Sequence, residues 1–127
     1  MTVDVVAGIF LKDGKFLVER RRSDDTADAG FITIPGGHVD KGETFEDALK
    51  REMKEELSVD VEKAKMIFKG LYTASDGEKQ MCYYFIVKEW SGKPLPNEAA
   101  EIFWESDIIK LTINIDRSAV KVALNKN

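Results

Sequence analysis

The sequence predicts an α/β protein, with a mixed β-sheet and helices packed against its faces. Three observations predict this. Runs of β-branched and apolar residues recur, separated by turn residues, as strands require. One stretch, Glu43 to Leu57, instead carries its apolar residues at helical spacing. The element order that results, β, β, β, α, β, β, β, α, is that of a mixed sheet with helices against it.

Val3 to Leu11 is β-branched and apolar and predicts a buried strand. Asp13-Gly14 is a hairpin signal, with Lys15 to Arg20 as the returning strand. Ser23 to Gly30 is polar and acidic, as surface loops are. Phe31 to Ile34 predicts a short strand stopped by Pro35-Gly36-Gly37, because proline cannot extend a ladder and glycine allows unusual backbone angles. Thr44-Phe45-Glu46-Asp47 has the form of a capping box, with Thr44 opening a helix that runs to about Leu57. Val59 to Ala74 and Lys79 to Trp90, joined at Asp76-Gly77, predict a long hairpin. Pro94 to Asn97 is a loop, Glu101 to Trp104 one more short strand, and Asp116 to Asn125 a closing helix.

The chain has 127 residues, enough for one domain, residues 1–127, with a core of its own. A formal charge of −4 leaves no basic excess for a nucleic-acid polymer. Cys82 is the only cysteine and sits in an apolar run, so a buried thiol and a reducing, cytoplasmic setting are expected. The start of the chain does not read as a signal peptide, and no apolar run nears the ~20 residues that span a bilayer.

The Glu43 to Leu57 helix carries the chemistry. Phe45, Ala48, Leu49, Met53 and Leu57 fall on one side, which must face the sheet. Glu52 and Glu56 fall within that arc and Glu55 at its edge, while Lys50 and Lys54 point away. Solvated glutamates belong opposite the apolar stripe. Carboxylates crowded on the inner side repel one another, and burying one without a partner costs several kcal/mol. Arg51 alone cannot neutralise them. A hard divalent cation can, through oxygen ligands shared with water and phosphates.

Gly37, five residues, Glu43, seven residues, then Arg51-Glu52-Met53-Lys54-Glu55-Glu56-Leu57-Ser58-Val59 resembles the Nudix box, here residues 37–59. Only Ser58 departs from it, standing where the family has glycine. As the residue that ends the helix it costs about 1 kcal/mol and is expected to touch no chemistry. The resemblance implies an α/β/α sandwich around a mixed sheet, similar to small MutT-like proteins. It implies Mg²⁺-dependent hydrolysis of a nucleoside diphosphate linked to X, with Mn²⁺ as a substitute ion. Glu52, Glu55 and Glu56 are then the metal ligands, with the Gly36 or Gly37 carbonyl and Glu98 as further candidates. Glu101 is a weaker one. Glu52 is the first choice of general base, ahead of Glu55. Glu43 and Arg51 orient the ligands.

For substrate contacts the candidates are Arg21, its neighbour Arg20, the box residue His38, and Asp116 or Asn114 near the last helix. Strand alternation sends at least one of Arg20, Arg21 and Arg22 toward each face. Asp116 reads first as a plain N-cap. Tyr83, Phe85, Phe103 and Trp104 read as core. The expected substrate is a nucleoside triphosphate, giving monophosphate and pyrophosphate. ADP-ribose, ADP-sugars and dinucleoside polyphosphates are the alternative, and a non-catalytic nucleotide-binding domain stands behind both. Monomer and homodimer are both open.

Overall fold

The computed structural model describes residues 1–126. Strands β1 (Thr2–Lys12) and β2 (Lys15–Arg20) form a hairpin whose turn residues Asp13 and Gly14 both take positive φ, 53° and 76°. Two short strands follow, β3 (Ile32–Thr33) and β4 (Gly36–His38). Next come helix α1 (Phe45–Leu57), the long hairpin β5 (Asp60–Thr73) and β6 (Lys79–Ser91), and β7 (Glu101–Glu105). A single 3-10 turn, Ile108–Lys110, leads into α2 (Asn114–Lys126).

The sheet is mixed. Its main path runs β3-β2-β1-β6-β5, with β4 paired to β1 and β7 to β2. β1 and β6 are parallel from Thr2↔Lys79 to Phe10↔Val87, and the other pairs are antiparallel. Alternation along β1 divides the core. Val6 and Phe10 pack with Leu17, Phe85 and the α1 residues Ala48, Leu49, Met53 and Leu57. Ala7 and Ile9 pack with Phe16, Val18, Tyr84, Ile86 and the α2 residues Ala119, Val120 and Ala123. One helix therefore covers each face, and the sandwich follows from period-two strands meeting period-3.6 helices.

Helix α1 begins where Thr44 accepts a hydrogen bond from the Asp47 N–H at 3.1 Å. It ends at Ser58, which holds the left-handed conformation at φ 59°. Ser58 ends the helix as expected, and it also makes a contact that glycine could not. Its Oγ accepts a 2.7 Å bond from Asn97 Nδ2, while the Asn97 N–H reaches the Glu56 carbonyl at 3.1 Å. The departure from glycine thus ties the helix end to the loop that carries Glu98.

One correction concerns Pro35-Gly36-Gly37, which does more than stop a strand. Gly36 and Gly37 belong to β4, opposite Ala7 and Val6. A Cβ on Gly36 would lie 2.3 Å from the Val6 carbonyl oxygen, so only glycine lets the two backbones approach.

The segment between β2 and β3 is anchored at Asp28, an unusual non-glycine residue at φ 54°. Its carboxylate accepts from Tyr72 Oη at 2.9 Å and from the Ser75 N–H at 2.8 Å, and its own N–H donates to Ser75 Oγ at 2.6 Å. Three bonds therefore fasten this loop to the end of β5 and the turn after it. Asp28→Ala should lower unfolding stability by about 1–3 kcal/mol, because Tyr72 and Ser75 lose their acceptor. Urea denaturation of both proteins measures this, and a difference below about 0.5 kcal/mol would show that the anchor carries no weight.

Candidate active site

Where β1 and β2 diverge beyond their hairpin, a cavity of about 420 Å³ opens between α1, β4, the β5–β6 turn and the start of α2. Glu52 and Glu56 reach it from α1, and Gly36, Gly37 and His38 from β4. Arg21 and Glu98 enter from loops, and Asp116 from the first turn of α2. The sequence candidates thus divide into those that line this space and those that do not.

Glu43, Arg51 and Glu55 stand beside it as a charged brace. Arg51 Nε and Nη2 grip both Glu43 carboxylate oxygens at 2.7 and 2.9 Å. Nη1 reaches Glu52 at 2.9 Å and Glu55 at 3.0 Å, and Nη2 also donates to the His38 carbonyl at 2.9 Å. This bidentate grip holds Glu43 well below the usual carboxylate range, at about 2. Glu55 remains half exposed at the outer end of the brace. With Asp40 Oδ2 also 3.4 Å from Arg51 Nε, one guanidinium serves four carboxylates, and none of its bonds goes to Glu56.

Glu56 is 6% exposed. Burial and the nearby Glu19 and Glu52 charges push its carboxyl up to about 11. Glu52 is raised as well, mainly by burial, despite its bond to Arg51. Gly37 passes so close that a Cβ there would lie 2.2 Å from the Glu52 carboxyl group. A side chain at Gly37 would push that carboxylate out of this position. Glu56 Oε2 is buried without a hydrogen-bond donor.

Among the described residues, no three acidic, imidazole or thiol groups stand as a ready-made cage for a cation. Mg²⁺ asks for less: usually one or two carboxylates, with water and substrate phosphate completing its shell. An orphaned, buried carboxylate oxygen beside the part-buried Glu52 carboxylate fits such an ion.

Two candidates from the sequence lie elsewhere. Arg20 does not line the cavity; its Nε bonds Glu101 Oε1 at 2.8 Å in an exposed pair. The reason is alternation, which turns Arg20 away from the side that Arg21 faces. Glu101 leaves the site with it. Arg21 Nε donates to the Ala27 carbonyl at 3.1 Å, and Arg21 is the only lysine or arginine lining the cavity.

Asp116 is not the helix cap, since α2 already starts at Asn114. It is buried at the cavity floor, accepting bonds from Tyr84 Oη and from the Ile34 N–H, the latter at 3.1 Å. Burial outweighs those bonds and pushes it up to about 7. His38 Nε2 lies 2.6 Å from Glu78 Oε1 and links β4 to the start of β6. Of the aromatics, Phe85 is core, whereas Tyr83 is part-exposed and stacks on Phe45 at 4.0 Å between centroids.

Sequence reasoning missed Glu19, 4% exposed on β2 and within hydrogen-bond reach of Glu56. The signal was available: an acid two residues after Leu17, on the same face of a strand whose centre, Phe16 to Val18, is apolar.

These shifts fix how the metal-free protein responds to pH. In the unfolded chain Glu19 and Glu56 ionise near 4.5, and in the folded chain at about 7 and about 11. The folded state therefore holds protons that the unfolded state releases. Stability is full below 4.5 and falls as pH rises through about 7 toward 11. In chelator, Tm should fall between about pH 5 and 8, and Glu56→Gln should flatten the fall without lowering Tm at neutral pH. A wild-type Tm that rises over this range would contradict the charge crowding.

Comparison with known proteins agrees with the geometry. The family model described as NUDIX domain matches residues 2–111. A protein from Haemophilus influenzae named 8-oxo-dGTP diphosphatase is 34% identical over 104 residues, covering 80% of this chain and 74% of that one. One from Methanocaldococcus jannaschii named ADP-ribose pyrophosphatase is 39% identical over 71 residues, covering 56% and 40%. Among solved structures, a MutT NUDIX hydrolase from Burkholderia pseudomallei superposes with a TM-score of 0.79 at 23% identity, covering 98% of this chain and 97% of its own. Between the matched domain and the carboxylates gathered by its box, the chain belongs to the Nudix family and is a MutT-like hydrolase.

Proposed function

We propose that this Nudix hydrolase converts a nucleoside triphosphate to the monophosphate and pyrophosphate, using Mg²⁺ with Mn²⁺ as a substitute. One observation carries the reading: a single cavity joins the buried Glu56 and the part-buried Glu52 to the Asp116–Tyr84 floor. Its volume falls within the range that holds a small ligand. The carboxylate end suits phosphates bridged by cations, and the floor suits a nucleobase.

Glu52, Glu56, Glu98 and the Gly36 or Gly37 carbonyl would hold the metal, with Glu55 joining from the brace. A bound divalent ion would neutralise phosphoryl charge and lower the pKa of the attacking water. Glu52 is the proposed general base, oriented through its bond to Arg51, with Glu55 behind it. Arg51 and Glu43 keep that carboxylate aimed. Arg21, braced on the Ala27 carbonyl, presents the cavity's one guanidinium to a substrate phosphate. Asp116 offers carboxylate oxygens to a base-edge N–H, and His38 flanks the phosphate path.

The names of the relatives make 8-oxo-dGTP the first substrate to test and ADP-ribose the second. The experiment is hydrolysis of a nucleotide panel with Mg²⁺ in ¹⁸O-labelled water, with products read by mass spectrometry. A triphosphate should yield monophosphate and pyrophosphate. Chelator should abolish turnover, and Glu56→Gln should lower kcat by roughly 10²-fold or more while keeping the fold. Sustained build-up of diphosphate and orthophosphate, or ADP-ribose as the preferred substrate, would overturn the triphosphate reading.

A further inference from the structure

We infer that Glu19 is a cation ligand of this site, supplied by strand β2 from outside the box. The inference rests on the metal-dependent reading of the cavity and extends it to a residue with no role so far. Along β2, alternation places Glu19 on the same side as Leu17, which packs against the α1 cluster. The side chain is thereby carried into the interior, where only 4% of the residue is exposed. Among the described residues no lysine or arginine forms an ion pair with it, although burying a carboxylate without a partner costs several kcal/mol.

What it meets is another carboxylate. Glu19 and Glu56 lie within hydrogen-bond reach of each other, one from β2 and one from α1. Glu19, Glu56 and Glu98 all line the main cavity, and all three, with Arg21 and Asp25, also line a smaller hollow of about 90 Å³. The independent sign of a ligand is Glu56 Oε2, which is buried, unpartnered and part of the same wall. A shared proton would satisfy one oxygen of each group and leave the others bare. A divalent ion with a few waters satisfies both carboxylates at once, and the hollow has volume for it. Glu19 and Glu56 would then grip the ion from opposite elements, with Glu98 closing from the loop.

The test measures Mn²⁺ binding to metal-free protein by titration calorimetry and by electron paramagnetic resonance, with no substrate present. Glu19→Gln removes the charge but keeps the shape. Ligation predicts that Mn²⁺ affinity falls at least about tenfold, that the rise in Tm on adding Mn²⁺ shrinks, and that the metal-free Tm does not drop. Mn²⁺ affinity within twofold of wild type, or tighter, would overturn the inference and leave Glu19 as a proton-sharing neighbour. If Glu19→Gln does not fold by circular dichroism, Glu19→Asp keeps the charge and shortens the reach. Ligation predicts weaker Mn²⁺ binding for that variant, and unchanged affinity overturns it. Wild-type protein that binds no Mn²⁺ would overturn the metal reading of the whole site. Tight wild-type binding with an unaffected variant would overturn only the role of Glu19.

Discussion

Glu56 lies one position before Leu57 and three after Met53, and it is nearly as buried as either of them. A carboxylate in such a place is tolerated only if something offsets its lost hydration. Much of the surrounding arrangement follows from that demand. Arg51 is committed to Asp40, Glu43, Glu52 and Glu55, and Arg21, which lines the same cavity, bonds the Ala27 carbonyl, so neither guanidinium pairs with Glu56. Gly37 leaves the Glu52 carboxyl the space that a Cβ would take. Asn97 closes over the end of the helix and fixes the loop from which Glu98 enters. The fold holds acids together that repel one another, a cost that the proposed cation would offset.

The sheet makes this possible by being anchored on both sides. Residues of β1 alternate between the α1 and α2 layers, so neither helix can shift without disturbing the strand they share. Asp28 fastens the cavity wall to the β5–β6 turn, and His38 bonds to Glu78 across the neighbouring rim. Rigid elements on all sides keep the carboxylates at fixed separations, which a cation site needs more than a flexible loop could provide.

Much of this was legible in the residues because the helical period is strict. Ala48, Leu49, Met53 and Leu57 marked the buried stripe, and Glu52 and Glu56 stood out as acids within it. The hairpin at Asp13-Gly14 and the helix start at Thr44 were equally plain, since each rests on chemistry that is local in sequence. What stayed hidden depends on partners far along the chain. Gly36 and Gly37 look like a strand stop until β1 is placed beside them. Asp116 looks like a cap until Tyr84 and the Ile34 N–H arrive from elsewhere in the fold. Alternation separates Arg20 from Arg21 in sequence, but which of the two faces the cavity shows only once β7 sets Glu101 opposite Arg20.

The parallel pairing of β1 with β6 also bears on how the molecule forms. Residue 2 finds its partner at residue 79, so the centre of the sheet closes late and over a long loop. During synthesis the whole box leaves the ribosome well before β6 does. Helix α1 then has β1 and β2 nearby but lacks Phe85 and Val87, which complete the apolar surface beneath it. A nascent chain at that stage carries the carboxylates without the enclosure that crowds them, so the crowding is a property of the finished sheet and not of the motif.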